Sequence, residues 1–305
     1  MRQGGSPPTG KWVGNAVGGV EAPDPIILPV ATERFARTAA RLDGLANGHA
    51  MSNWLKFMAA ISRAQEGAAS LEPASGDAPF AYGTEVTDTA LIRIIERSSA
   101  WRDYLHPLLD DLEQAELPGA ARIAMQNLRG YNNQNLQALA GNCLSGTVAH
   151  AELAGATYVA AALQVYFTAR ASTLDVSTLN LQAERGRCPC CGSAAVSGIV
   201  TATGKTPGTR YLYCAMCSTA WNHVRAVCTN CADSRTVTLR SIDGDPGIVK
   251  AETCDACSTY AKMLYQVKDM QVDAYADDLA SLGLDMMIAD AGWARATPNP
   301  LLFLA

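Results

Sequence analysis

Through the first half of the chain, apolar positions recur at three- and four-residue steps, the period of a helix that buries one face. Phe35, Ala39, Leu42 and Leu45/Ala46 keep that spacing and predict a first helix, with Gly48 standing where it would stop. Ser52 is placed to cap a second helix that carries Trp54, Leu55, Phe57, Met58 and Ile61. The stretch EGAASLEPASGDAPFAYG then loses all periodicity and predicts a linker. Further helices are predicted over about 87–115, 118–141 and 144–171, the last rich enough in Ala, Val, Leu and Tyr to be buried along much of its length. Near TLDVSTLNLQAERGR the pattern changes, and short alternating runs such as TRYLYC and RTVTLRSI signal brief strands as far as about residue 268. VDAYADDLASLGLDMMIADAGW returns to helix before Pro298 and Pro300 stop it.

The predicted organisation is therefore a disordered leader at 1–25, a helical domain at 26–175, small β modules at 184–225 and 226–268, and a C-terminal helix and tail at 269–305. The opening MRQGGSPPTGKWVGNAVGG has no apolar core of the kind an export signal needs. No run approaches the roughly twenty apolar residues that span a bilayer; His150, Glu152 and Gln164 interrupt the Ala-rich stretch. A soluble cytoplasmic protein without membrane insertion is expected. The net charge of -5 gives no general attraction to phosphate backbones.

Cysteine changes the picture. Nine of the ten cysteines lie between Cys188 and Cys257. They contain four C-x-x-C pairs: Cys188/Cys191, Cys214/Cys217, Cys228/Cys231 and Cys254/Cys257. Twenty-two residues separate the first pair from the second, and twenty-two separate the third from the fourth. A shift of forty positions also aligns Gly204 with Gly244, Arg210 with Lys250, and Ser218-Thr219 with Ser258-Thr259. One small module is present twice.

In a reducing compartment such pairs point to metal rather than to disulfides. Two C-x-x-C turns supply the four thiolates of one tetrahedral site, and a module this small needs the ion for folding energy. Two successive rubredoxin-like, zinc-ribbon-like four-cysteine modules are predicted, holding two mononuclear ions. The repeat pairs the first turn with the second and the third with the fourth; spacing alone leaves an interleaved arrangement open. Zinc and iron both suit four thiolates.

Other positions carry weaker signals. Cys190 lies inside the first turn as a bystander thiol, and Cys143 reads as a small buried residue. Trp221 and Tyr260 follow their turns at similar positions and could shield a metal–sulfur centre, while His223 is a donor candidate to that centre or a packing residue. Arg210 and Arg225 are candidates for a docking surface. Residues 185–268 hold ten Lys/Arg against five Asp/Glu, but eight thiolates around two divalent ions cancel most of that excess. Nucleic acid is thus an unfavoured partner. The four histidines are scattered, and no nucleophile elbow, phosphate loop or H-E-x-x-H motif occurs. No enzyme is expected.

The runs CSTAWNHVRAVCTNC, FARTAARLDGLANGHAMSNWLKFMAAISRAQ and YADDLASLGLDMMIADAGWARATPNPLLF resemble the FdhE family of formate dehydrogenase accessory proteins, from about residue 26 to the end. The resemblance implies a non-catalytic cytoplasmic assembly factor. Such a factor docks on the catalytic subunit of a respiratory formate dehydrogenase before export and binds iron, in preference to zinc, through the eight paired cysteines. It also raises Asp277 and Asp278, otherwise a solvated helix face, to partner-binding candidates. A zinc-ribbon nucleic-acid binder and a rubredoxin-like electron carrier are the alternatives, and homodimerisation is left open. The helical domain is expected to stand independently of the first module.

Overall fold

Phe35, Ala39, Leu42 and Ala46 are all buried on α1 (Ala31–Ala46). The computed structural model that shows this describes residues 21–71, 90–179 and 186–302. α1 pairs with α2 (Ser52–Ala69) across a turn in which Gly48 takes a left-handed φ of 71°. Ser52 is the first residue of α2 and makes no side-chain cap; the ring of His49 instead accepts the Met51 N–H at 3.0 Å. α2 also runs through the first four residues of the predicted linker, whose remainder from residue 72 lies outside the described residues.

Of the three predicted helices in the middle of the chain, the first two are each two, and the third, predicted from 144, begins only at Leu153 after a 3-10 turn at His150–Glu152. α3 (Ala90–Arg97) and α4 (Arg102–Glu113) are separated by a turn that buries Trp101. α5 (Gly119–Arg129) and α6 (Asn133–Ser145) part at Gly130, because the Asn132 side chain accepts the Asn135 N–H at 2.8 Å and starts a new helix. α7 (Leu153–Ser172) buries fourteen of its twenty residues and packs against α1, α2, α4, α5 and α6. It is the axis of the helical body. At about 1.5–3 kcal/mol for each large apolar side chain removed from water, Val159, Leu163, Val165 and Phe167 alone make it a major source of stability.

The second half forms one sheet. β1 (Ile26–Ile27), β2 (Ala195–Val200), β3 (Arg210–Cys214), β4 (Ala220–Asn222), β5 (Val237–Arg240), β6 (Val249–Cys254) and β7 (Thr259–Tyr265) lie in the order β1-β4-β3-β2-β7-β6-β5. Each sequence module is an antiparallel three-stranded meander, β2-β3-β4 or β5-β6-β7. The modules are not separate beads. β2 and β7 pair in parallel, Gly198 opposite Met263 and Val200 opposite Tyr265. A Cβ at Gly198 would sit 2.6 Å from the Met263 sulfur, so a larger residue there would have to push the Met263 side chain aside.

Both chain ends join this sheet. Residues 1–20 of the predicted leader lie outside the described residues. Its last five are held on the first module, where Pro25 O accepts the Asn222 N–H at 3.0 Å and Ile26 pairs with Trp221. The single C-terminal helix is corrected to two short ones, α8 (Ala276–Ala280) and α9 (Leu282–Asp290), broken at Ser281 and followed by β8 (Ala294–Arg295), which lies parallel to β7. Among the described residues no helix is long and apolar enough to cross a membrane.

Candidate metal centre

The repeat seen in the sequence is a repeat of backbone. Cys188 and Cys191 flank a turn before β2, Cys214 ends β3, and Cys217 leads into β4; Cys228, Cys231, Cys254 and Cys257 take the same places around β5, β6 and β7. In both first turns the leading cysteine N–H donates to a carbonyl five residues on, Cys188 to Ser193 and Cys228 to Asp233, each at 2.8 Å. Gly192 and Ala232 are both left-handed, with φ of 74° and 61°, as are Ser218 and Ser258, with φ of 61° and 53°. Three non-glycine residues accept that strained conformation, which brings paired sulfurs to one point.

Two groups of four sulfurs result, each with all Sγ atoms within 4.8 Å of one another: Cys188, Cys191, Cys214 and Cys217, then Cys228, Cys231, Cys254 and Cys257. Adjacent turns therefore pair, and the interleaved alternative is not the one formed. Cys188 and Cys217 sulfurs are 3.5 Å apart and those of Cys191 and Cys214 3.2 Å; in the second group the matching separations are both 3.7 Å. A disulfide would need about 2.05 Å. A tetrahedron with metal–sulfur bonds of about 2.3 Å has edges near 3.8 Å, so the donor set fits an ion. Backbone N–H groups turn toward the sulfurs as anionic ligands require: Met216 and Cys217 donate to Cys214 at 3.4 Å each, and Asn230 and Cys231 donate to Cys228 at 3.4 and 3.5 Å.

Proton chemistry points the same way. Burial, with contacts among the thiols, pushes Cys188 and Cys217 well up, whereas at Cys191 hydrogen bonds from its neighbours outweigh burial and bring it well down. Four crowded, desolvated sulfurs cannot all become anions without a cation among them. A divalent ion that replaces their protons resolves this conflict.

The two groups differ in surroundings. All four sulfurs of the first belong to residues with 0% exposure, which share one apolar core with the helices and with Trp221. The helical body grips the second turn of this group. Gln164 Nε2 donates to Ala215 O at 2.8 Å, and Thr168 Oγ1 lies 3.0 Å from Ser218 Oγ. Arg34 Nε donates to Ser218 Oγ at 3.1 Å, and its guanidinium stacks 3.8 Å from the Tyr275 ring centre. The Tyr275 hydroxyl donates to Cys214 O at 2.9 Å. In the second group Cys228 and Cys254 are buried, Cys257 is half-buried and Cys231 is exposed.

The remaining candidates fall in varied places. Cys190 is buried beside Cys188 and Thr219 but outside the four-sulfur group. Cys143 is half-buried between α6 and α7, where burial, with Glu152 nearby, pushes its thiol up to about 12. Tyr260 is buried and donates to Asp285 at 2.7 Å, tying the second module to α9. His223 joins neither sulfur group; its Nδ1 lies 2.7 Å from Arg210 Nη2.

Three of the four docking candidates are corrected. Arg210 is 1% exposed and clamps the modules together through Glu252, at 2.7 and 2.9 Å, and through Val227 O. Asp277 is buried against Arg41, and Asp278 against Lys262, Arg295 and Asn299. Their charges are spent inside the protein. Arg225 stays exposed on the loop between the modules. Sequence reasoning missed Arg34, Thr168 and Tyr275 as braces of the first centre; the available signal was Gln164 and Thr168, two polar residues four apart on an otherwise apolar helix.

Comparison with known proteins adds to this geometry. The family description "FdhE, N-terminal" matches residues 23–184, "FdhE, central domain" 187–225 and "FdhE, C-terminal domain" 226–302. The last boundary falls between the two sulfur groups. The chain is similar to the "Protein FdhE homolog" of Klebsiella pneumoniae, 36% identical over 287 residues that cover 93% of this chain and 92% of that one. It is equally similar to "Protein FdhE" of Salmonella paratyphi B, 36% identical over 284 residues, 92% and 91% of the two chains. The crystal structure of the FdhE protein from Pseudomonas aeruginosa superposes with a TM-score of 0.78 at 31% identity, over 92% of this chain and 99% of that one.

Proposed function

The chain belongs to the FdhE family of formate dehydrogenase accessory proteins, which assist maturation and are not themselves enzymes, and from that premise we propose that it acts in the cytoplasm by binding the catalytic subunit of a respiratory formate dehydrogenase. The observation that carries this reading is the end-to-end family match across a rigid platform in which two four-sulfur groups share one sheet. Each meander with its two C-x-x-C turns is, on this reading, a rubredoxin-like, zinc-ribbon-like module. Cys188, Cys191, Cys214 and Cys217 would hold one ion, and Cys228, Cys231, Cys254 and Cys257 a second. Iron is the favoured ion, since four thiolates around iron supply one-electron chemistry that zinc lacks. On this reading Trp221, buried in the apolar cluster that holds those first four cysteines, helps to keep water from the first centre.

The client meets the exposed side of the sheet and the loop that carries Arg225, where metal-fixed turns present a rigid surface. A nucleic-acid role finds little support, because Arg210 is committed to Glu252 and does not face solvent. Co-expression with a formate dehydrogenase catalytic subunit tests the proposal. Affinity capture of this chain should recover that subunit, and repeated failure to recover it from cells that make both would overturn the reading.

A further inference from the structure

We infer that the two centres have separate duties: the first is a sealed structural centre, and the second is the exchange-active one, reached from solvent through Cys231 and Cys257. The inference rests on the metal reading above and concerns what the duplication did to each copy.

The backbone is shared, so the divergence lies in the side chains around it. Between the cysteines of the later turn, the first copy has Ala215 and Met216, both buried, and the second has Asp255 and Ala256, both exposed. Between those of the earlier turn, buried Pro189 and Cys190 correspond to half-buried Thr229 and exposed Asn230. Ser218 is buried between Arg34 and Thr168, whereas its counterpart Ser258 is exposed. The cysteines of the first group are part of the large helical core, and those of the second belong to no apolar cluster among the described residues.

Opening the first centre therefore means breaking α7 and α1 away from the 214–218 turn. Opening the second loosens turns held by Asp233 and Thr236 within the module and by Trp293 from the segment after α9, with Cys228 and Cys254 buried but Cys231 already exposed. Local opening is easiest where burial is least. A soft ligand from solution, either a small chelator or a thiol-bearing partner, consequently finds Cys231 first. The second centre is thus the one placed to communicate with a client, and the first holds the platform together.

Zinc-loaded protein challenged with an excess of the chromophoric chelator 4-(2-pyridylazo)resorcinol tests this. Two ions should leave in two phases of one equivalent each, with rates at least about tenfold apart, the ratio that about 1.4 kcal/mol gives. Iodoacetamide added when the fast phase ends should label Cys228, Cys231, Cys254 and Cys257 and spare Cys188, Cys191, Cys214 and Cys217. Cys231→Ser should abolish the fast phase and leave the slow one. A single phase for both ions, or early label on the first group, would overturn the division. Failure to load two equivalents would overturn it too, by removing the metal reading itself, whereas failure to capture a formate dehydrogenase subunit would leave these rates unchanged.

Discussion

Arg210 shows how far a charge read along the chain can differ from a charge in the fold. Its carboxylate partner, Glu252, is forty-two residues away, and Arg41 and Asp277 are separated by 236. No local pattern reveals such pairs, so counting charges in a segment treats as solvated what folding neutralises. Removing one member strands the other: Arg210→Met should cost about 3–5 kcal/mol by leaving Glu252 buried without its cation. Urea unfolding of the metal-loaded protein reads this directly, and a loss below about 1 kcal/mol would show that the pair is solvated after all. Arg225→Ala should lie within about 0.5 kcal/mol of the parent yet reduce recovery of the client subunit. Equal recovery would remove Arg225 from the docking surface.

At the scale of elements, the eight paired cysteines were legible because metal chemistry imposes a short, fixed spacing, and the forty-residue offset also gave their grouping. Helical existence was legible from periodicity. Boundaries were not, since Asn132 and Ser281 interrupt apolar patterns that continue on either side of them. The shared core of the helices and the first module was hidden as well. An independent helical domain was expected, but α7 and the 214–218 turn share one core. Cys214→Ser should release the first ion and also lower helical circular dichroism, whereas Cys254→Ser should release the second ion with helicity unchanged. Unaltered helicity in both variants would restore the independent domain. Gln164→Leu offers a milder probe: it leaves Ala215 O without its donor and should cost about 1–3 kcal/mol, measured by thermal unfolding.

For the whole molecule, one seven-strand path with β8 at its side replaces the two separate modules that the repeat suggested. The parallel β2–β7 contact joins strands far apart in the chain, and Gly198 alone hints at it. The sheet, the helical body and the C-terminal segment are then tied by buried polar bridges, with Thr38 donating to Asp273 at 3.0 Å and Lys262 to Asp278 O at 2.8 Å. Ions held by the two four-sulfur groups would fix the sheet's turns, and the proposals about metal depend on them. Metal analysis with an optical spectrum, on protein purified without oxygen, bears on that dependence most directly. Two ions per chain are expected, with the visible absorption of iron in a ring of thiolates on oxidation; protein free of metal, with its cysteines reduced and its fold intact, would contradict it.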